Sequence, residues 1–223
     1  MSIRIFGIQR SGTNYTESLI DRLTPLAVTA GNPDTNYWKH SYSPESEFLF
    51  RHDIHIVIVK HPFKWLESLH RYNADLALRS GEYEENFFNN EAVRKASKHI
   101  IYDKRNQPTA IEGAANLYNT FYNRWFEFST QNNAIPTYLI RYEDIIRNPT
   151  KFLRSLQRRI GIRFPIKAGA LKEIDQSSNF PKSRIRDYLD MHHFSILDDD
   201  TLEYAKQLFD EQLIYERLKY PRA

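Results

Sequence analysis

Two short runs hold residue types that bind phosphate. The first is Gly7-Ile8-Gln9-Arg10-Ser11-Gly12-Thr13-Asn14-Tyr15. It follows a strand-like segment and leads into a helical pattern through Leu19 and Leu23. Strand, loop and helix in that order cradle a phosphate, because successive backbone N–H groups and the helix N-terminus present a fixed positive potential. Gly12 lets the backbone approach the anion, Ser11, Thr13 and Asn14 add side-chain donors, and Arg10 adds charge. The second run is Lys60-His61-Pro62-Phe63-Lys64-Trp65-Leu66-Glu67-Ser68. Lys60 stands at the carboxyl end of an apolar strand, and Ser68 lies eight residues on, in a helical pattern beside an apolar stripe. A strand-end cation and a helical hydroxyl can converge on one phosphate. Taken singly, the loop is also what a polar strand–helix turn looks like, and Lys60 is what ends many strands in solvent.

The spacing Gly7-x4-Gly12 is that of a Walker A loop, but Thr13 stands where that motif has Lys. The Walker lysine reaches the β and γ phosphates of a triphosphate. The most apolar strand ends in Val59-Lys60-His61, with no carboxylate to hold Mg²⁺. Both features argue against ordinary nucleoside triphosphate hydrolysis or phosphoryl transfer.

These runs need elements to position them. Strand patterns are expected at Ile3–Ile8, Leu26–Ala30, Ile54–Val59 and Pro136–Tyr142. Helical stripes fall between them: Trp65, Leu69, Tyr72 and Leu76, then Ile111, Ala114, Tyr118, Phe121, Trp125 and Phe128. The outer face of the second, with Glu112, Asn116, Asn119 and Asn123, either borders an acceptor pocket or is solvated. Asn148-Pro149 reads as N-cap and first helical residue, Phe152, Leu153, Leu156 and Ile160 as the apolar face, and Gly161 as the stop. Asp198-Asp199-Asp200 opens a last helix through Leu202, Ala205, Phe209, Leu213 and Glu216. Strands alternating with helices predict an α/β fold with a central, mostly parallel sheet flanked by helices. Ligands of such sheets sit outside the carboxyl ends of the strands. The chain reads as one domain over residues 1–223, with the polar stretch 81–108 as an insertion or lid.

Composition removes several function classes. The 223 residues hold 31 Lys and Arg against 28 Asp and Glu, a net charge of +3 that is too mild to name nucleic acid as partner. There is no Cys, so thiolate catalysis, thiolate metal sites and disulfides are excluded. No apolar run is long enough for a transmembrane helix, and the start of the chain lacks a signal-peptide pattern, so a cytoplasmic protein is expected.

Taken together, the two phosphate signatures resemble the sulfotransferases that use 3′-phosphoadenosine 5′-phosphosulfate (PAPS), in a broad branch that includes bacterial and phage-like members. Gln9–Tyr15 is similar to that family's 5′-phosphosulfate loop, and Lys60 through Ser68 to its 3′-phosphate motif. Tyr138-Leu139-Ile140-Arg141-Tyr142-Glu143-Asp144-Ile145, followed by Asn148-Pro149, is similar to its Arg-Tyr-Glu-Asp-Leu strand and following helix. The three matches occur in family order. Arg10 replaces the usual Lys, and Lys60 the usual Arg, which gives up bidentate phosphate geometry. The glycine-rich basic motif near the end of cytosolic eukaryotic members is absent, and the nearest basic cluster is Lys182, Arg184 and Arg186.

The resemblance implies a three-layer P-loop fold, PAPS as sulfuryl donor with PAP as product, and transfer to the hydroxyl of a small-molecule or carbohydrate acceptor without a metal. It places the donor on Arg10, Ser11, Gly12, Thr13, Asn14, Tyr15, Lys60 and Ser68. Many members also have Lys and His after the second strand, here Lys39-His40. By that likeness His40 is the general base and Lys39 stabilises the leaving group, with Glu45 or Glu47 as the substitute base. An imidazole titrating near neutrality suits the role. His61 is read as supporting the 3′-phosphate position, the pair His192-His193 as no metal site, and Arg141, Tyr142 and Glu143 as strand-end bonds to neighbouring loops. A P-loop kinase or NTPase, and a non-catalytic nucleotide-binding protein of the same fold, are the alternatives.

Overall fold

The structure, a computed structural model, describes residues 2–29, 39–40, 54–69, 107–131, 135–167, 183–190, 194, 197 and 199–222. Strand β1 (Ser2–Phe6) is followed by helix α1 (Thr13–Leu23), β2 (Ala27–Thr29) and β3 (Ile54–Val59). Helix α2 (62–69) comes next, then α3 (Gln107–Gln131), β4 (Thr137–Arg141), α4 (Tyr142–Arg147) and α5 (Pro149–Ile160). Short helices α6 (Ser183–Leu189) and α7 (Asp199–Leu208) and a π-helical turn (Gln212–Arg217) complete the described elements. The last two residues of the expected insertion, 107 and 108, already belong to α3; residues 81–106 lie outside the described residues.

All four strands are parallel, in the order β2-β1-β3-β4. The period-two alternation of side chains sorts them onto two faces. Ile3, Ile5, Ile56 and Ile58 point to one core, under α1, α4 and α5. Phe6, Val57 and Val59 point to the other, under α2 and α3 with α7 and the C-terminal turn. Strand β3 is buried on both faces, as its near-continuous apolar sequence requires. The protein is thus an α/β fold whose parallel sheet is flanked by helices. From β1 the chain steps to β2 on one side, then returns to β3 on the other. In parallel α/β sheets such a reversal, here between the carboxyl ends of β1 and β3, is where ligands bind.

Helix α5 forms as its local signals dictate. The Asn148 side chain accepts the Lys151 N–H at 2.9 Å, Pro149 opens the helix, and Gly161 closes it in a left-handed conformation with φ +70°. The last helix departs from its pattern. Instead of one run through Glu216, α7 ends at Leu208 and a separate π-helical turn begins at Gln212. Asn119 on α3 causes the break: its Nδ2 donates to the Leu208 carbonyl at 2.9 Å, and its Oδ1 accepts the Asp210 N–H at 3.0 Å. Asp210 then accepts the Leu213 N–H and restarts the helix. Asn123 joins in, donating to Asp210 and accepting from Arg217. The polar face of α3 therefore binds the C-terminal segment at Asn119 and Asn123. It is neither simply solvated there nor the border of a pocket.

Candidate functional site

The loop after β1 is shaped by two glycines. A Cβ on Gly12 would overlap the Tyr142 ring, and the residue sits at φ +103°, where side chains are strained. A Cβ on Gly7 would overlap Ser11 Oγ and crowd the Ile58 carbonyl. Arg10 also takes a positive φ of 67°, and its side chain is exposed. The loop is fastened from below. Ser11 N–H donates to the Ile8 carbonyl at 3.1 Å, and Trp65 Nε1 to the Gln9 carbonyl at 2.7 Å. Helix α1 starts at Thr13 with no side-chain cap and no acid in its first turn, so the helix itself does not compensate its positive end.

The loop's hydroxyls do not all face outward. Ser11 Oγ is fully buried beside the Tyr122 hydroxyl, without a hydrogen bond of ordinary geometry. Thr13 is buried too, while Asn14 is exposed and accepts a hydrogen bond from Lys39 Nζ. What the loop offers an anion is mainly its main chain, Arg10 and the helix end.

Lys60 and Ser68 meet. Lys60 Nζ donates to Ser68 Oγ at 2.6 Å and to the Arg10 carbonyl at 3.4 Å, so one ammonium joins the second run to the first. The lysine is 3% exposed and therefore no solvent-facing strand end. Burial lowers its pKa to about 8, with nearby Arg10 acting in the same direction and Tyr188 and Glu143 opposing. Tyr188 of α6 lies against it, the ring centroid 4.2 Å from Nζ and the hydroxyl 3.2 Å from Ser68 Oγ. Tyr142 flanks the other side at 5.2 Å. Neither tyrosine was legible as a site residue: the Tyr188 contact spans 120 residues of chain, and Tyr142 reads as a strand end.

The strand end bearing Lys60 is held by a buried carboxylate. Glu143 accepts the His61 N–H at 2.9 Å and the Tyr220 hydroxyl at 2.8 Å. Burial raises the Glu143 pKa against those hydrogen bonds. The Tyr118 and Tyr122 hydroxyls donate to the carbonyls of Lys60 and Ile58, both at 2.8 Å. Arg141 pairs with Asp144 at 2.7 Å and reaches the Lys219 carbonyl. Arg141 and Glu143 thus make the strand-end bonds expected of them, and the His61 ring packs against Phe63 and Tyr220.

Lys39 and His40 are pinned to the start of the loop by a reciprocal pair. Gly7 N–H donates to the Lys39 carbonyl at 2.9 Å, and His40 Nδ1 lies 2.6 Å from the Gly7 carbonyl. A carbonyl only accepts, so Nδ1 holds the proton and Nε2 holds the lone pair, the tautomer a base requires. His40 is 6% exposed, and burial lowers its pKa to about 4, beyond what the Gly7 hydrogen bond restores; Lys39 lowers it further. It does not titrate near neutrality, as an ordinary imidazole does. It is neutral throughout the physiological range. Lys39 also lies 3.7 Å from Glu17.

The structure thus gathers Arg10, Lys39, His40, Lys60 and Ser68 around the carboxyl ends of β1 and β3. Glu45, Glu47, Lys182 and the pair His192-His193 lie outside the described residues, as do the side chains of Arg184 and the rest of loop 30–38. Among the described residues no cluster of three metal-binding side chains occurs, and no helix is long and apolar enough to cross a membrane. No protein-family model, curated protein or solved structure matches the chain.

Proposed function

We propose that the protein is a P-loop sulfotransferase that moves a sulfuryl group from PAPS to an acceptor hydroxyl. The observation that supports this best is the placement of Lys60. Its ammonium touches both Ser68 and the loop carbonyl of Arg10, so two anion-binding features meet at the switch point of the sheet. A donor with phosphate at both the 3′ and 5′ positions needs two such features side by side. In this reading the loop and the α1 N-terminus hold the 5′ end, while Lys60 and Ser68 hold the 3′-phosphate. To admit that phosphate, the Tyr188 hydroxyl yields its place on Ser68.

His40 then takes the acceptor proton at Nε2 as the hydroxyl oxygen attacks sulfur and the bond to the leaving phosphate oxygen breaks. Nδ1–H stays on the Gly7 carbonyl and stabilises the imidazolium that forms. Lys39, tethered to the same loop by Asn14, faces the charge that develops on the leaving group. Calorimetric titration with PAP, AMP and Mg-ATP tests the assignment. PAP is expected to bind at least tenfold more tightly than AMP, with no need for Mg²⁺, and Lys60→Ala to remove that preference. Equal affinity for PAP and AMP, or a strict Mg²⁺ requirement with Mg-ATP favoured, would return the protein to the kinase reading.

A further inference from the structure

Away from the proposed donor site, β4 forms the edge of the sheet among the described residues. Strand β4 ends the strand order, and it is half-exposed along its whole length, whereas β3 beside it is fully buried. The Pro136 carbonyl accepts the His55 N–H at 2.9 Å. By the alternation of a parallel ladder, the main-chain groups of Tyr138 and Ile140 also turn toward β3, and those of Leu139 turn outward. No hydrogen bond to that outer edge is present among the described residues.

The edge opens into a groove of about 620 Å³ between α5 and the turn at Arg217–Lys219. Its floor is apolar and straddles the sheet plane: Leu139 and Leu218 belong to the core of one face, Ile140, Phe152 and Leu156 to that of the other. The groove therefore lies in line with the sheet, where a fifth strand would run. Its rim is cationic. Arg141, Arg147, Lys151, Arg159, Arg217 and Lys219 line it against a single acid, Asp144. Asp144 is shared by Arg141 and Arg147, Arg217 is bound to Asn123, and Arg159 lies over the Tyr138 ring, which leaves the exposed Lys151 and Lys219 as the least compensated of these charges among the described residues. The sequence sustains this bias, with eight Lys and Arg and no acid between Asp144 and Glu173.

We infer that this edge receives an extended acidic peptide segment of a partner protein, which adds to β4 as a fifth strand. Each part of the groove meets one part of such a ligand: the open main chain of Leu139 its backbone, the apolar floor its alternate apolar side chains, and the rim its carboxylates. Among the described residues no aromatic platform is exposed in the groove for bases to stack on, which disfavours single-stranded nucleic acid.

The test uses the full chain and a blocked, fluorescently labelled heptapeptide of alternating Val and Glu. Binding is read by anisotropy, and the Leu139 amide by hydrogen exchange. The expected result is saturable binding that slows Leu139 exchange. It weakens at least tenfold with the Lys151→Glu/Lys219→Glu protein or a Gln-substituted peptide, and is lost when alternate peptide nitrogens are methylated. PAP binding by the double variant stays at the wild-type level. Absence of binding at millimolar peptide overturns the proposal. So does binding indifferent to N-methylation, or inorganic pyrophosphate displacing the peptide at comparable concentration, which would make the groove a site for small anions.

Discussion

In the proposed reaction His40 is a single side chain set for one direction of proton transfer. Its carbonyl partner fixes the tautomer, and burial keeps the ring neutral. A base in that state is ready at every pH above its own pKa, so the acid limb of kcat/KM is expected near pH 4 rather than near 6.5, the ordinary imidazole value. His40→Ala is expected to lower turnover by about 10²–10⁴-fold and to abolish that limb, while PAP affinity stays close to wild type. In the proposed reaction the division follows from position: the loop and Lys60 would meet the donor with charges that do not change during transfer, whereas His40 would act only as the acceptor proton leaves. A variant with near-normal turnover would exclude His40 and move the search to Glu45 and Glu47. The same burial makes a stability statement. The folded pKa lies below the unfolded one, so the unfolded chain binds the proton more readily between pH 6.5 and about 4. Stability is full above that window and falls as pH drops through it, by about 3 kcal/mol for a shift of this size.

At the scale of elements, the glycines and caps separate by what they hold. Gly12 joins the loop to Tyr142, and an alanine there meets both a ring and a left-handed backbone. Gly12→Ala is expected to destabilise the fold by about 2–4 kcal/mol and to weaken PAP binding, because the strain sits inside the anion loop. Asn148→Ala, which only uncaps α5, is expected to lose about 1 kcal/mol in denaturant unfolding and leave PAP binding unchanged. The same contrast explains what was legible beforehand. Helix α5 was readable end to end because Asn148, Pro149 and Gly161 act within a few residues of themselves. Strand β3 was readable because continuous apolar sequence suits a strand buried on both faces. The break after Leu208 was not, because the residue that makes it, Asn119, comes from a helix some ninety residues earlier. At the site, the loop and the Lys60–Ser68 spacing were visible in local order. Tyr188, the burial of Ser11 and the lowered pKa of His40 all arise from packing between distant segments, which no spacing rule encodes.

On the scale of the whole molecule, Lys60 sets the stability of the fold against the use of the site. The ammonium is buried between two tyrosine rings, with the Ser68 and Tyr188 hydroxyls and one distant carbonyl as partners and, among the described residues, no carboxylate paired to it directly. Its pKa of about 8 against 10.5 in the unfolded chain corresponds to about 3 kcal/mol by which the protein would be more stable if the charge were absent. The sign fixes the pH window. Between pH 8 and 10.5 the unfolded chain holds this proton more firmly than the folded one, so the Lys60 contribution makes stability rise with pH across that range. A phosphate dianion seated on Lys60 and Ser68 would supply the missing counter-charge. It would raise the lysine pKa and stabilise the folded state by mass action, by about 2.7 kcal/mol at a hundred times Kd. Lys60→Met keeps the buried stem and removes the charge. In differential scanning calorimetry at pH 7 the ligand-free variant is expected to melt several degrees above wild type, and its stability no longer to rise between pH 8 and 10.5. The PAP-induced upward shift in Tm is expected to shrink with it to the size that AMP induces. A variant that melts lower than wild type would show that the Ser68 and Arg10 hydrogen bonds outweigh the burial of charge, making Lys60 a fastening of the loop first and a phosphate ligand second.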